Sequence, residues 1–298
     1  MTDNANKIPV YQQVLTEQKQ GHETRKHLFE RLEEELQVPV VSFFTSFYYP
    51  VMIEDPDAAM IEGLLQKIDL SKGLALIINS PGGIGISAER IINVCKSYSG
   101  TGKFLAIVPG KAKSAATMVC MGADSIYMSK TSELGPIDPQ IQIQKEERTF
   151  NVALWNLVSS YKELFAKASA TKGNLQPYLQ QLANYDSREI KEYETAIELA
   201  EDVAIRALKD GMMSGLTKEK IKEKIKIFLT PEKTKSHGRS IFFKDAEACG
   251  LQIKLMENNS KIWELSYELY IRKDNFTKTN SVKCLESKDH SFAANLNK

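Results

Sequence analysis

Two short, uninterrupted apolar runs constrain this chain most: Leu74 to Asn79 (LALIIN) and Phe104 to Pro109 (FLAIVP). A run so short and so continuous has no polar face to offer to solvent. It therefore belongs in a strand covered on both sides. Helical patterns lie around these runs. Asp57 to Ile68 places Met60, Ile61, Leu64, Leu65 and Ile68 on one face, and a second helix runs from Ser87 to about Tyr98. Val40 to Phe47 is β-branched and aromatic and reads as a further strand, as does Ser125 to Met128. Strand and helix alternating at this spacing mean parallel pairing through right-handed crossovers, hence an α/β fold.

The flanks read differently. Residues 1–36 form a polar lead-in with a surface helix over Arg25 to Leu36, where Leu28, Phe29, Leu32 and Leu36 fall near helical spacing. The main domain spans 37–256. Within it, Val152 to Gly211 is a long helical region; Asp186 to Glu189 reads as a capping box, and Ile190, Ile197, Ala204 and Leu208 keep the period. Ile241 to Leu255 makes a small closing unit. Residues 257–298 are expected to form a C-terminal helix and a loose tail, because apolar content falls after Asp274. The lysines from Lys218 to Lys226 alternate with Glu219 and Glu223, the pattern of a solvated helix face.

Composition removes several function classes. The 298 residues carry 39 Lys plus Arg against 38 Asp plus Glu, a net charge of +1, so no global field draws the chain to nucleic acid. Cys95, Cys120, Cys249 and Cys284 are scattered and form no CxxC pair. That argues against a disulfide framework and a structural zinc, and for a reducing, cytoplasmic compartment. The opening residues, MTDNANKIPVYQQ, lack the apolar core of a secretory signal. Val38 to Ile53 is apolar but broken by Pro39, Ser42, Thr45, Ser46 and Pro50, so it reads as a strand entering a core and not as a spanning helix; peripheral membrane contact is left open. No P-loop occurs and no GxGxxG follows a strand, so no cofactor and no metal are expected.

Two loops carry candidate chemistry, each at the end of a buried strand. In Asn79-Ser80-Pro81-Gly82-Gly83, adjacent glycines allow backbone angles closed to other residues and let a ligand approach the amide N–H groups, the raw material of an oxyanion hole. Taken alone, the same residues describe a plain turn. In Pro109-Gly110-Lys111-Ala112-Lys113-Ser114-Ala115-Ala116-Thr117-Met118, Ser114 sits where a helix of small residues begins. It is either an N-cap or a nucleophile held by tight packing of Ala115, Ala116 and Gly122.

Together these blocks, followed by Ala123 to Met128 and by Ser132-Glu133-Leu134-Gly135-Pro136-Ile137-Asp138-Pro139-Gln140, resemble the Clp protease/crotonase superfamily, and within it the serine dehydrogenase proteinase family, related to signal peptide peptidase A. Ser236 to Ile241 and Ala246 to Leu251 resemble that family's closing motif, so the resemblance runs from roughly Val38 to Ile253. It implies a Clp protease/crotonase-like spiral of βαβ units with an inserted helical region. It also implies a serine endopeptidase in which Ser114 is the nucleophile and the amides of Gly82, Gly83 and Ala115 form the oxyanion hole. A peptide or protein substrate would add as a strand beside the diglycine segment, and a homo-oligomer is expected. Two positions depart from the family pattern: Ala116 stands where glycine is frequent, and Lys113 puts a charge before the serine.

The base is left open by the residues. A serine hydroxyl needs one, yet Gly135 to Pro139, where Clp protease proper has its histidine, contains none. Of the four histidines, His22, His27 and His290 lie in the flanks and read as surface residues; His237 alone falls inside the resemblance. Signal peptide peptidase A and its relatives use a lysine, and Lys162 and Lys167 occupy a comparable stretch, each with a plain reading as a solvated helix lysine. Asp138, between two prolines, reads as structural, as substrate-lining or as orienting a base. Two other readings stand beside the peptidase: a catalytically weak binding or assembly member of the superfamily, and a crotonase-like enzyme acting on acyl-CoA.

Overall fold

The computed structural model describes residues 8–17, 20–146 and 148–295. Two helices come first, α1 (Val10–Thr16) and α2 (Lys26–Leu36). The alternating units follow: β1 (Val40–Thr45), α3 (Asp55–Leu65), β2 (Gly73–Asn79), α4 (Gly85–Ser99), β3 (Lys103–Val108), β4 (Lys111–Ala112), α5 (Ala115–Met121) and β5 (Ser125–Met128). Each strand and helix read from the alternation is present, with ends moved by a few residues.

After the short β6 (Glu133–Leu134), the region read as helical opens instead with a hairpin, β7 (Gln140–Lys145) and β8 (Arg148–Ala153). Only then come α6 (Leu154–Ala170), α7 (Gln176–Leu182) and α8 (Ser187–Lys209). Asp186 does cap α8, accepting from the Arg188 N–H. The chain continues through α9 (Lys218–Lys224), α10 (Lys226–Leu229), α11 (Pro231–Thr234), α12 (Phe243–Ala248) and β9 (Ile253–Leu255), then a long α13 (Lys261–Thr279) and a final hairpin, β10 (Ser281–Glu286) and β11 (Ser291–Asn295).

One seven-stranded sheet organises the molecule, in the order β11-β10-β1-β2-β3-β5-β9. Neighbours from β1 to β9 pair in parallel, as the crossover argument requires; β10 joins β1 antiparallel and β11 joins β10 antiparallel. Period-two alternation divides the strand residues between two cores. Val41, Phe43, Leu74, Leu76, Ile78, Phe104 and Ala106 face one cluster, which also takes in α3, α4, α5 and α8. Val40, Phe44, Ala75, Ile77, Leu105 and Ile107 face the other, closed by Leu28, Phe29 and Leu32 of α2 and Leu265 and Leu269 of α13. Each such side chain stabilises the fold by about 1.5–3 kcal/mol.

Both flanks therefore need correction. The helix expected on the surface has three fully buried residues, Leu28, Phe29 and Leu32, and with α13 it covers a whole face of the sheet. The stretch expected to be a loose tail supplies β10, whose Cys284 and Leu285 are in the core. Its polar composition is compensated internally. Arg25 and Lys273 converge on Glu286, with Arg25 Nη2 to Glu286 Oε1 at 2.6 Å and Lys273 Nζ to Glu286 Oε2 at 3.3 Å, all three side chains buried. Lys273 also donates to Ser42 Oγ at 2.6 Å, which ties α13 to β1. His22, read as a surface residue, is half-buried and bonds the Ser287 carbonyl oxygen.

Burial alone would raise the Glu286 carboxyl; the charges of Lys273 and Arg25 overturn that and hold it well below the usual carboxylate range. A folded-state pKa below the unfolded value gives stability that is complete above the unfolded pKa, about 4.3, and is lost as pH falls toward the folded value. Urea unfolding across acid pH should therefore show stability dropping below about pH 4.3. Glu286→Gln should flatten that slope and cost about 3–5 kcal/mol at neutral pH, because it strands two buried cations. Equal acid slopes in the two proteins would refute this role of the carboxylate.

Candidate active site

The loops after β1, β2, β3 and β5 meet at the carboxyl ends of the parallel strands, where open α/β sheets place their ligands. The Asn79–Gly83 turn is stitched to the turn before α5. Asn79 Oδ1 accepts from the Lys111 N–H at 2.9 Å, the Ser80 N–H donates to the Lys111 carbonyl at 2.9 Å, and the Lys113 N–H donates to the Ser80 carbonyl at 3.0 Å. Ser80 Oγ accepts from the Gly82 N–H at 3.1 Å and lies 2.6 Å from Thr45 Oγ1. The Asn-Ser-Pro-Gly-Gly block is thus a set of hydrogen bonds that fixes one turn against another, and not an isolated bend.

The glycines are required by what they touch. At Gly82, φ is +104°, and a Cβ there would lie 2.5 Å from the Lys113 carbonyl oxygen and 2.7 Å from Ser114 Cβ. At Gly83, a Cβ would run into the backbone of Ile53, which pairs with Gly83 in a parallel bridge. Gly82 therefore lies directly against the serine turn, and Gly83 against Ile53. Among the described residues, the Gly83 and Ala115 N–H groups donate to no acceptor.

Ser114 adopts φ 51°, ψ −121°, a region that a residue with a side chain rarely occupies. Such a conformation costs about 1–3 kcal/mol and persists only where surrounding bonds impose it. Although Ser114 stands at the N-cap position of α5, its side chain makes no capping hydrogen bond, which removes the plain cap reading. The residue is half-buried, and among the described residues its hydroxyl has no hydrogen-bond partner. Ala115 and Ala116 behind it are fully buried, so the slim helix read from the sequence is packed into the core.

Lys113 does not bring its charge to the serine. Its Nζ bonds Glu133 Oε2 at 2.7 Å, the Leu134 carbonyl at 3.2 Å and Ser240 Oγ at 3.4 Å. Ser240 Oγ in turn donates to Glu133 Oε2 at 2.6 Å. Burial lowers the Lys113 pKa, and the bond to Glu133 works against that. This cluster clamps β4 to β6, the strand leading to Asp138, and to the segment carrying His237. Thr117 adds a second clamp: its hydroxyl donates to the Ala112 carbonyl at 2.7 Å and accepts from the Gly135 N–H at 3.0 Å.

The candidate bases separate clearly. His237 Nδ1 lies 2.9 Å from Asp138 Oδ1, a contact between residues 99 apart in the chain. The histidine is 25% exposed and the aspartate 1%. Leu134 and Ile241 form an isolated antiparallel bridge, four residues before Asp138 and four residues after His237, which holds the two segments side by side. Lys162 and Lys167, both on α6, are 63% and 65% exposed; Lys162 pairs with Glu194 at 2.7 Å and Lys167 faces Glu163 at 3.9 Å. Neither has the desolvation that turns a lysine into a base near neutral pH. No hydrogen bond joins Ser114 to any of the three.

All four cysteines are free and buried, and burial pushes the Cys95 thiol up to about 12. Among the described residues, no group of three or more His, Cys, Asp or Glu side chains is placed to hold a metal ion, and no helix is long and apolar enough to cross a membrane.

Comparison with known proteins finds a family likeness over part of the chain. Residues 35–152 match the model of a family described as ClpP-like SDH-type serine proteinase. That segment contains Gly82, Gly83, Ser114, Ala115 and Asp138 and ends before Lys162, Lys167 and His237. Two curated relatives come from Methanocaldococcus jannaschii. Uncharacterized protein MJ1495 is 32% identical over 106 residues, covering 36% of this chain and 32% of its own length. Uncharacterized protein MJ0137 is 32% identical over 104 residues, covering 35% and 32%. The match thus spans about a third of each relative. Among solved structures, a mutant of the 1510-N membrane-bound stomatin-specific protease aligns over 72% of this chain and 79% of its own, at 11% identity and a TM-score of 0.38. The mixed sheet flanked by helices is an α/β architecture consistent with a ClpP-like fold, and the segment holding the serine turn resembles the SDH-type serine proteinases, as the motifs led us to expect.

The contact at Gly82 makes a direct test. Gly82→Ala should displace the Ser114 turn and abolish covalent labelling of Ser114 by a fluorophosphonate. Gly63→Ala, where a Cβ meets nothing within 4 Å, should leave labelling intact and add about 0.5–1 kcal/mol of helix stability. Labelling unchanged in Gly82→Ala would show that this contact does not shape the turn.

Proposed function

We propose that this protein is a serine peptidase in which Ser114 is the nucleophile and His237, oriented by Asp138, is its base. The reading is carried by the backbone of Ser114, which is held in a costly conformation against Gly82 with a hydroxyl that serves no capping role. Strain of this kind, imposed by neighbouring hydrogen bonds, is what presents a side chain away from its own helix. The 2.9 Å bond from Asp138 to His237 Nδ1 supports the choice of base, because it leaves Nε2 free to take a proton.

In this mechanism Ser114 Oγ attacks the peptide carbonyl carbon while its proton passes to His237 Nε2. The carbonyl oxygen gains negative charge and is met by the Gly83 and Ala115 N–H groups, with Gly82 providing the close approach. The C–N bond then breaks as the imidazolium returns the proton to the departing amine, leaving an acyl group on Ser114. Water, deprotonated by the same histidine, releases the acid and restores the hydroxyl. Asp138 keeps its bond to His237 Nδ1 and stabilises the imidazolium. Catalytic hydrogen bonds that are open in a free enzyme tighten when substrate is bound, and this mechanism requires a Ser114–His237 bond to form at that stage.

Exposed Phe47, Met52, Ile84 and Ile86 flank the Ile53–Gly83 bridge and supply apolar surface for an extended peptide. A peptide substrate and assembly as a homo-oligomer go with this reading.

Fluorophosphonate labelling of the intact chain discriminates the candidates. Ser114→Ala should lose labelling entirely, and His237→Ala should slow it by about 100-fold or more. Lys162→Met and Lys167→Met should label at the wild-type rate. Loss of labelling in either lysine variant with His237→Ala unaffected would transfer the base role to that lysine. A folded wild type that does not label at all would favour the binding or assembly reading over catalysis.

A further inference from the structure

One cavity that Asp138 helps to line has a chemistry the peptidase mechanism does not use. It holds about 610 Å³, between the Ile137–Pro139 segment, α6, α8, α9 and the chain at Leu229–Thr230. Its walls include the apolar side chains of Ile137, Trp155, Val158, Ile197 and Leu229. Two wall residues carry a buried oxygen with no hydrogen-bond partner, Asp138 Oδ2 and Thr230 Oγ1. The Asp138 side chain is only 1% exposed and spends Oδ1 on His237. A buried carboxylate oxygen left without a donor is costly, and each such atom asks for a partner.

The rim adds a sign. Of its cations, Lys162, Lys222 and Lys226 are paired with Glu194, Glu201 and Glu232. Glu198, Glu219 and Glu223 also line the cavity and have no ion-pair partner among the described residues. Surplus carboxylates at the mouth and an unpaired carboxylate oxygen inside both select positive charge.

We infer that this cavity is a binding site for an organic cation, a guanidinium or ammonium group on a short hydrocarbon stem. The stem packs against Trp155, Val158 and Leu229; the head turns aside the groups that now cover Asp138 Oδ2 and Thr230 Oγ1 and donates to both. The planar fork of a guanidinium suits two acceptors at once. Because both oxygens belong to one carboxylate, a bound cation draws negative charge from His237 and slows hydrolysis. That consequence rests on the peptidase reading; binding itself does not.

The chain has two tryptophans, and Trp155 lines the cavity, so its fluorescence reports occupancy without any assay of activity. Butylguanidinium should change that fluorescence saturably with Kd of about 1 mM or tighter, and the signal should vanish in Trp155→Phe. Asp138→Asn should weaken binding about tenfold or more, the loss of one charge-assisted bond, and Thr230→Val should weaken it less, with the fold kept. Neutral 1-pentanol should bind far more weakly. A capped Ala-Arg-Ala tripeptide separates the sources: affinity equal to or above that of butylguanidinium identifies an arginine side chain of a polypeptide, and affinity for the free cation alone identifies a small metabolite. Failure of both cations to bind, or binding by 1-pentanol as tight as by butylguanidinium and unaffected by Thr230→Val, would overturn the assignment. Cation binding that persists in Ser114→Ala would stand even if that protein and the wild type proved equally inactive.

Discussion

The conformation of Ser114 is the constraint on which the rest of the site depends. A serine at φ 51°, ψ −121° is not a local preference of its sequence; it is imposed by neighbours. The Ser80 carbonyl takes the Lys113 N–H on one side, Gly82 presses against Cβ on the other, and the Ala115 helix start is sealed in the core. Any one of these could be relaxed by a small shift of the turn. All of them together leave the turn no cheaper arrangement, which is how a conformation costing about 1–3 kcal/mol becomes the resting state. Where the following helix ends, Gly122 has no room for a side chain, because a Cβ there would lie 2.5 Å from Ile92 Cγ2.

The same clamps settle how the His237–Asp138 pair is held. Asp138 and His237 arrive on separate segments that meet through the Leu134–Ile241 bridge. Glu133 and Ser240 tie that bridge to Lys113, the residue immediately before Ser114. A displacement of the serine turn is thereby shared with the ladder that carries the histidine. The charge at Lys113, a departure from the family pattern, is in this light a structural cation whose ammonium is neutralised by Glu133.

Legibility in the sequence followed the cost of hiding charge. The strands β2 and β3 announce themselves because LALIIN and FLAIVP contain nothing that water must solvate. The burial of α2 and α13 against the sheet, and the strand β10, went unread because Arg25, Lys273, Lys283 and Glu286 are charged residues that are buried, against the usual expectation that such side chains lie outside. Each is rendered tolerable by a partner far away in the chain: Arg25 and Lys273 by Glu286, and Lys283 by Asp57 at 2.9 Å. No local pattern announces such a pairing. Ser114, Gly82 and Gly83 were readable from their turn chemistry and order. The meeting of His237 with Asp138 was not, since it is decided by a β-bridge between two short segments.

Long-range pairing also explains why one carboxylate can serve two neighbours. Asp138 is buried by the prolines and helices around it, and a fully buried carboxylate needs more than one donor to offset its lost hydration. His237 supplies one, on Oδ1. The second oxygen is buried without a partner, and Asp138 borders a region whose apolar walls come from α6, α8 and the Leu229 turn and whose rim is acidic. A cation entering there completes the solvation of the carboxylate that orients the histidine, so the electrostatic requirement of burying Asp138 and the capacity to bind a positively charged guest arise from the same unmet oxygen.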